Sequence, residues 1–207
     1  MIAAWTREMT DTTDSGGLRA RRRAQTERDI ETAALEAFEA RGFEATTMDE
    51  IAASAGVSVR TAFRYFPAKV DTALFSARRV YALLGADLAD HVRQGASLRE
   101  VEDSISQSLA ALVAAEPAVI ERMKRLRTLM LGDDRLRAEV AKSEGYLAGM
   151  DALELERNEP TLQTRLLVEI AAATLRTAFD SWARTTGGGA ELAWMYRLAR
   201  EARATLL

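Results

Sequence analysis

The residues best suited to chemistry lie close together, between Ser58 and Phe66: Ser58-Val59-Arg60-Thr61-Ala62-Phe63-Arg64-Tyr65-Phe66. An arginine carries a planar fork of donors that matches the two acceptors of a guanine edge, and an apolar side chain can touch a thymine methyl. Arg60 stands near the start of this helical run and is the candidate for paired bonds to guanine, with Val59 and Phe63 as candidates for methyl contact. On a helix, residues four apart share a face, so Arg60 lies over Arg64 and Thr61 over Tyr65, while Ala62 and Phe66 turn inward.

A groove-reading helix of this kind must be held by its neighbours, and the preceding residues supply the means. Thr47-Met48-Asp49-Glu50 fits a capping box, in which a threonine hydroxyl and a glutamate three residues later satisfy free N–H groups. The helix it opens runs only to Ser54, with Met48 and Asp49 at its start, near the DNA backbone. Ala55-Gly56-Val57 makes a tight turn, Ser58 caps the next helix, and the pre-proline Phe66 closes it within about two turns. Two short helices joined by a turn with a central glycine are the signature of a helix-turn-helix, whose second helix enters the major groove. Ala52 is small where the helices cross, Gly56 can take the left-handed conformation, and Ile51, Val57 and Phe66 are apolar anchors.

Upstream, Ile30, Ala34, Ala37 and Phe38 recur at helical spacing until Gly42, which is placed as a C-terminal cap. Arg19, Arg21, Arg22 and Arg23 stand at this point either as a basic arm for the minor groove or phosphates, with Arg22 and Arg23 as its contact candidates, or as a solubilising start to the first helix. Residues 1–18 have no apolar period and are expected to form a disordered tail.

The whole chain frames these motifs. Its 207 residues include 39 Ala and 24 Leu but only three prolines, at Pro67, Pro117 and Pro160, each opening a helical segment, so an all-α fold follows. With no cysteine and a single histidine, His91, disulfides, thiolate catalysis and multi-histidine metal sites are excluded, and no metal or cofactor is expected. The formal charge of −3 does not mark a nucleic-acid binder, and residues 19–69 carry a net of only +1, so local placement must supply any attraction to DNA. No apolar run approaches the roughly 18 residues of a spanning helix, and a cytoplasmic protein with no membrane partner is expected. No phosphate-binding glycine loop or nucleophile elbow is present, which leaves no case for an enzyme.

Beyond Pro67 the periodic segments lengthen: 68–88, 98–115, 117–131, 135–155, 162–184 and 190–206, which brings the tally to about nine helices. Residues 162–184 carry two apolar stripes, one of Leu162, Leu166 and Ile170 and one of Leu167, Ala171, Leu175, Ala178, Phe179 and Trp182. A helix apolar over so wide an arc buries more than one face, one of them available to a partner subunit.

From Thr26 through Phe75 the sequence resembles the tetracycline-repressor (TetR) family. The resemblance rests on Ile30, Ala33-Ala34, Gly42-Phe43, Thr46-Thr47, Ile51-Ala52, Ala55-Gly56-Val57-Ser58, Thr61, Phe66, Lys69 and Leu74. Two departures are Phe63, where the family usually has Tyr, and Ala62, usually bulkier. The run Phe63-Arg64-Tyr65-Phe66 looks most like the branch of mycofactocin-type and acyl-CoA-responsive regulators.

The resemblance implies a three-helix DNA-binding domain over residues 19–66 and a larger ligand-binding and dimerisation domain over 67–207. It assigns phosphate contacts to Thr47, Thr61, Tyr65 and Lys69, and dimerisation to the last two helices, with Leu167, Ala171, Leu175, Ala178, Phe179, Trp182, Trp194 and Leu198 as the expected interface. Expected pocket residues are Phe75, Tyr81, Leu84, His91, Met123, Leu126, Met130 and Tyr146. The function implied is a ligand-responsive repressor that binds a palindromic operator as a homodimer and is released by a small hydrophobic or amphipathic inducer. The alternative is a helical dimeric interaction or architectural protein without small-molecule control.

Overall fold

The computed structural model describes residues 5–143 and 161–206, with side chains from Gly17 onward and without those of residues 87 and 89. The expected pocket residue Tyr146 and the helix start at Pro160 lie outside the described residues. Among the described residues there are nine helices and no strand: α1 (Trp5–Arg41), α2 (Met48–Ser54), α3 (Val59–Tyr65), α4 (Lys69–Arg93), α5 (Leu98–Ala115), α6 (Pro117–Gly132), α7 (Asp134–Lys142), α8 (Leu162–Trp182) and α9 (Gly189–Ala204). None of them is long and apolar enough to cross a membrane.

Local chemistry sets most of these boundaries. Ser97 caps α5 and receives Glu100 in return, Pro117 occupies the first turn of α6, and Asp133 and Thr161 cap α7 and α8. The start of α9 has no side-chain cap, and tight packing explains Gly189: a Cβ there would lie 2.6 Å from a methyl of Val113 on α5. The N-terminal expectation of a disordered tail is corrected, because α1 begins at Trp5. With its nucleus held by Ile30, Ala34, Leu35 and Phe38 in the core and no proline before Pro67, each residue added upstream gains a hydrogen bond for the dihedrals it fixes.

α1, α2 and α3 pack around Phe38, Ile51, Ala52, Ala62 and Phe66, and α4 carries this core without a break into the second group of helices through Leu74, Ala77, Val80 and Leu84. There α4, α5, α6, α8 and α9 enclose Ile105, Leu109, Met123, Phe179, Trp182 and Tyr196. The Trp182 indole N–H donates to the Gly188 carbonyl at 2.9 Å, so the largest core side chain has its polar atom satisfied.

The expected subunit interface is corrected here. Ala171, Leu175, Ala178, Phe179 and Trp182 are buried in the protomer's own core, and Leu167 packs partly against it. The other stripe of α8 faces outward, with Leu162 75% and Leu166 53% exposed, and it is joined on α9 by Trp194 at 45% and the exposed Leu198. Periodicity reveals two apolar stripes but not which one meets α5 and α9, because both have the same helical phase pattern.

Candidate nucleic-acid interface

The helix-turn-helix is built as its sequence dictates. Thr47 Oγ1 accepts from the Glu50 N–H at 3.3 Å, and the Glu50 carboxylate accepts from the Thr47 N–H at 2.9 Å. The bonds this carboxylate accepts from the Thr47 N–H and, at 3.0 Å, from the Thr47 hydroxyl are the main reason it sits below its ordinary range, with Arg41 at 2.8 Å adding to the effect. Gly56 has φ of +67°, which only glycine adopts without strain in this turn. Ser58 Oγ then accepts from the Thr61 N–H at 3.1 Å and opens α3, and Phe66 leaves the helix with φ −132° and ψ 95°.

α3 presents two distinct faces. Ala62 and, just beyond the helix, Phe66 are buried, whereas Ser58, Arg60, Phe63 and Arg64 are exposed, Phe63 at 47%. Two exposed arginines beside an apolar ring on a capped helix form a face compatible with major-groove docking. Thr61 and Tyr65 are half-buried, with the Thr61 hydroxyl 2.8 Å from that of Ser58. Tyr65 also gathers cations from two helices: the guanidinium of Arg64 lies 5.0 Å and that of Arg23 5.7 Å from its ring centroid. This Arg23–Tyr65–Arg64 group was not legible in the sequence, since 42 positions separate Arg23 from Tyr65.

Four expectations for this interface change. Met48 is buried, so its side chain anchors α2 in the core and only its backbone faces outward. Val59 is half-buried and packs against the core, which turns it from base contact to anchor. The arginines Arg19 to Arg23 belong to the continuous helix α1 rather than to a flexible arm; Arg22 is exposed, and Arg23 pairs with Glu27 at 3.0 Å. Thr47 remains exposed, but Lys69 does not reach outward.

Lys69 Nζ donates to the carbonyls of Phe43 at 2.5 Å, Thr46 at 2.7 Å and Glu44 at 3.4 Å, and lies 4.2 Å from the Phe43 ring centroid. An ammonium has three protons, and all three are engaged on the loop between α1 and α2. Burial lowers its pKa from the ordinary lysine value. Lys69→Met is therefore expected to lower stability by about 1–3 kcal/mol, through unpaired carbonyls, while leaving the salt dependence of DNA binding unchanged. Urea unfolding and binding titrations at several salt concentrations check this; a salt slope smaller by about one would restore Lys69 as a phosphate contact.

The expected ligand pocket is also redistributed. Tyr81 and Leu84 line a small cavity of about 10 Å³ with Gly85, Leu88, Ile105, Ala171 and Leu175, between α4, α5 and α8. Met123 and Leu126 are buried in the core elsewhere, and Phe75 stacks edge-on against Phe66 at 6.0 Å. Met130 and His91 are half-buried, the latter in the last turn of α4. Arg127 joins Tyr81, whose hydroxyl accepts its proton, to Asp180 at 2.5 Å, placing a polar end on an otherwise apolar seam. Among the described residues no group of acidic or histidine side chains could hold a metal ion.

Residues 30–77 match the family model for bacterial regulatory proteins of the tetR family. That stretch, which holds α2 and α3, is a tetR-family region. The chain is also 33% identical over 118 residues to a protein of Mycobacterium tuberculosis named as the mycofactocin biosynthesis transcriptional regulator MftR. That match covers 53% of this chain and 54% of the other, so the chain spans about half the length of the curated relative it matches. The fatty acid degradation regulator FadR from Bacillus halodurans shares the fold of this chain, with a TM-score of 0.51, 19% identity, and coverage of 84% of this chain and 94% of that one. The Thermus thermophilus FadR, a tetR-family repressor solved with lauroyl-CoA, aligns at TM-score 0.46 and 26% identity over 84% of this chain and 91% of that one.

Proposed function

We propose that this protein is a homodimeric tetR-family repressor that binds a palindromic DNA operator and is released by a small hydrophobic or amphipathic inducer. Residues 19–66 form the DNA-reading head and 67–207 the ligand-binding and dimerisation body. The observation that carries this reading is the division of α3, with Ala62 and the adjoining Phe66 anchoring it while Arg60, Phe63 and Arg64 stand in solvent beside the arginines of α1. Arg60 reads a base edge, and Thr47, Thr61 and Tyr65, with Arg22 and Arg23, hold the phosphate backbone. The exposed stripe of Leu162, Leu166, Trp194 and Leu198 is the surface through which two copies meet. The inducer enters at the seam of α4, α5 and α8, where apolar side chains and the Tyr81 hydroxyl suit an amphipathic molecule, and it must expand the cavity to bind.

The test is selection of duplexes from a randomised pool, followed by binding titrations of the selected site. The protein is expected to recover a palindrome and to bind it with a steep inverse dependence on salt. Arg60→Ala is expected to cost about 1–3 kcal/mol on that site and to relax preference at one base position. Recovery of no palindrome by a folded dimer would favour the interaction-protein reading instead.

A further inference from the structure

The head meets the body along two seams of different character. On one side α4 packs apolar residues against α1, with Val70, Ala73, Leu74 and Ala77 buried. On the other side an open groove of about 1000 Å³ separates the end of α1 from α6 and the linker between α8 and α9, with Phe38, Glu39, Gly42, Arg125 and Asp133 among its walls. Polar ties span this side. Arg125 grips Glu39 with two bonds of 2.7 Å, from Nε and Nη2. Asp133 divides its two oxygens: Oδ1 accepts from the Leu136 N–H of α7 at 2.9 Å, and Oδ2 accepts from the Phe43 N–H, just beyond α1, also at 2.9 Å.

An apolar seam tolerates small rotations, because dispersion and burial are non-directional, whereas a hydrogen bond specifies an angle. With little packing to fill the groove, rocking of the head about α4 is opposed on this side by these directed bonds together with the buried Arg122–Glu31 pair, which joins α6 to α1 at 2.8 Å. We infer that Asp133, assisted by the Glu39–Arg125 pair, is a positioning residue for DNA binding that holds the head at a fixed angle to the body and thereby sets the half-site separation the dimer accepts. This rests on the proposed dimeric repressor. Burial would raise the Asp133 carboxyl, but the N–H bonds from Leu136, Phe43 and Arg135 outweigh it and hold it below its ordinary value, as expected of a working acceptor.

Asp133→Asn separates positioning from folding. Asparagine is as good a helix cap as aspartate, so its oxygen keeps the Leu136 bond while its amide turns a donor toward the Phe43 N–H. The probes are the duplex selected by the parent protein, versions with one or two base pairs added or removed between half-sites, and a single half-site. The expected result is unchanged half-site affinity and a melting temperature lower by about 2–4 °C from the lost Phe43 bond, with discrimination among spacings reduced about tenfold. Arg125→Glu is expected to reduce it in the same sense, and Glu39→Arg added to Arg125→Glu to restore it.

A second measurement needs no DNA. The chain has no cysteine, so Ala53→Cys on the exposed end of α2 offers one spin-label site per protomer. The distance between the two labels of a dimer is expected to broaden when Asp133→Asn is added. Spacing discrimination and label distances equal to the parent's would overturn the inference, as would loss of half-site affinity in parallel with melting temperature, which marks Asp133 as a fold residue only. A parent protein that selects no palindrome would instead overturn the repressor reading, and this inference with it.

Discussion

Replacing Leu166 and Trp194 together by glutamate is expected to convert the dimer to monomers and to lower affinity for the palindrome by about 10²–10⁴-fold. The magnitude comes from linkage. When two heads belong to one body, the second half-site is met at an effective concentration near the millimolar range, and that advantage disappears when the heads separate. Both side chains are largely exposed in the protomer, so exchanging them for carboxylates costs the isolated fold little. At a face joined to its own copy, each substitution places like charges in a desolvated contact, where they cannot be neutralised. Phe179→Glu is the informative contrast: Phe179 is fully buried against Tyr81 and Trp182, and its replacement is expected to unfold the protomer rather than divide the dimer. Sedimentation velocity and titration of the selected duplex read the two effects separately. A double variant that sediments as a dimer and binds like the parent would remove α8 and α9 from the interface.

Arg122→Met is expected to destabilise the protein by about 3 kcal/mol at neutral pH, the lower part of the range for breaking a buried ion pair. Glu31 on α1 is 1% exposed and accepts from the Arg122 Nε at 2.8 Å, from the Ser76 N–H at 2.7 Å and from the Ser76 hydroxyl at 2.7 Å. Methionine fills the space of the arginine stem but leaves that carboxylate with only the two serine donors. The deficit depends on pH in a definite direction. Burial already holds the Glu31 carboxyl above its ordinary value, with Ser76 and Arg122 opposing that rise, and losing Arg122 raises it further. A carboxyl whose folded pKa is raised disfavours its charged form in the fold, so the cost is full above that pKa and fades as pH falls through it. Urea unfolding should therefore show a larger gap between variant and parent at pH 7.5 than at pH 5. Glu31→Gln added to Arg122→Met is expected to recover part of the loss, because a neutral amide needs no counter-charge. A gap that widens on acidification would exclude this account.

Legibility in the sequence follows the range of the interaction. The caps at Thr47 and Ser58, the turn at Gly56 and the stop at Phe66 depend on residues within four positions, and each occurs as its local pattern predicts. The same local logic places Ala62 and Phe66 inward and Arg60 and Arg64 outward. The partners of Lys69 are not legible locally, because Phe43, Glu44 and Thr46 lie more than twenty residues away and belong to a loop with no periodicity of its own. The arginines of α6 obey the same rule: Arg122, Arg125 and Arg127 each pair with an acidic residue on another helix, a choice that local spacing does not carry.

By itself, then, the sequence determined the helical class, the helix-turn-helix with its capped ends, and the face of α3 that meets solvent, since each is a matter of dihedral preference and near-neighbour bonding. Tertiary structure alone decided which stripe of α8 is core, where Lys69 spends its protons, and how Asp133 and Glu31 bind the DNA-reading helices to the rest. Those choices join residues some 25 to 90 positions apart, and a pattern that repeats every 3.6 residues carries no information about which distant helix will lie against it.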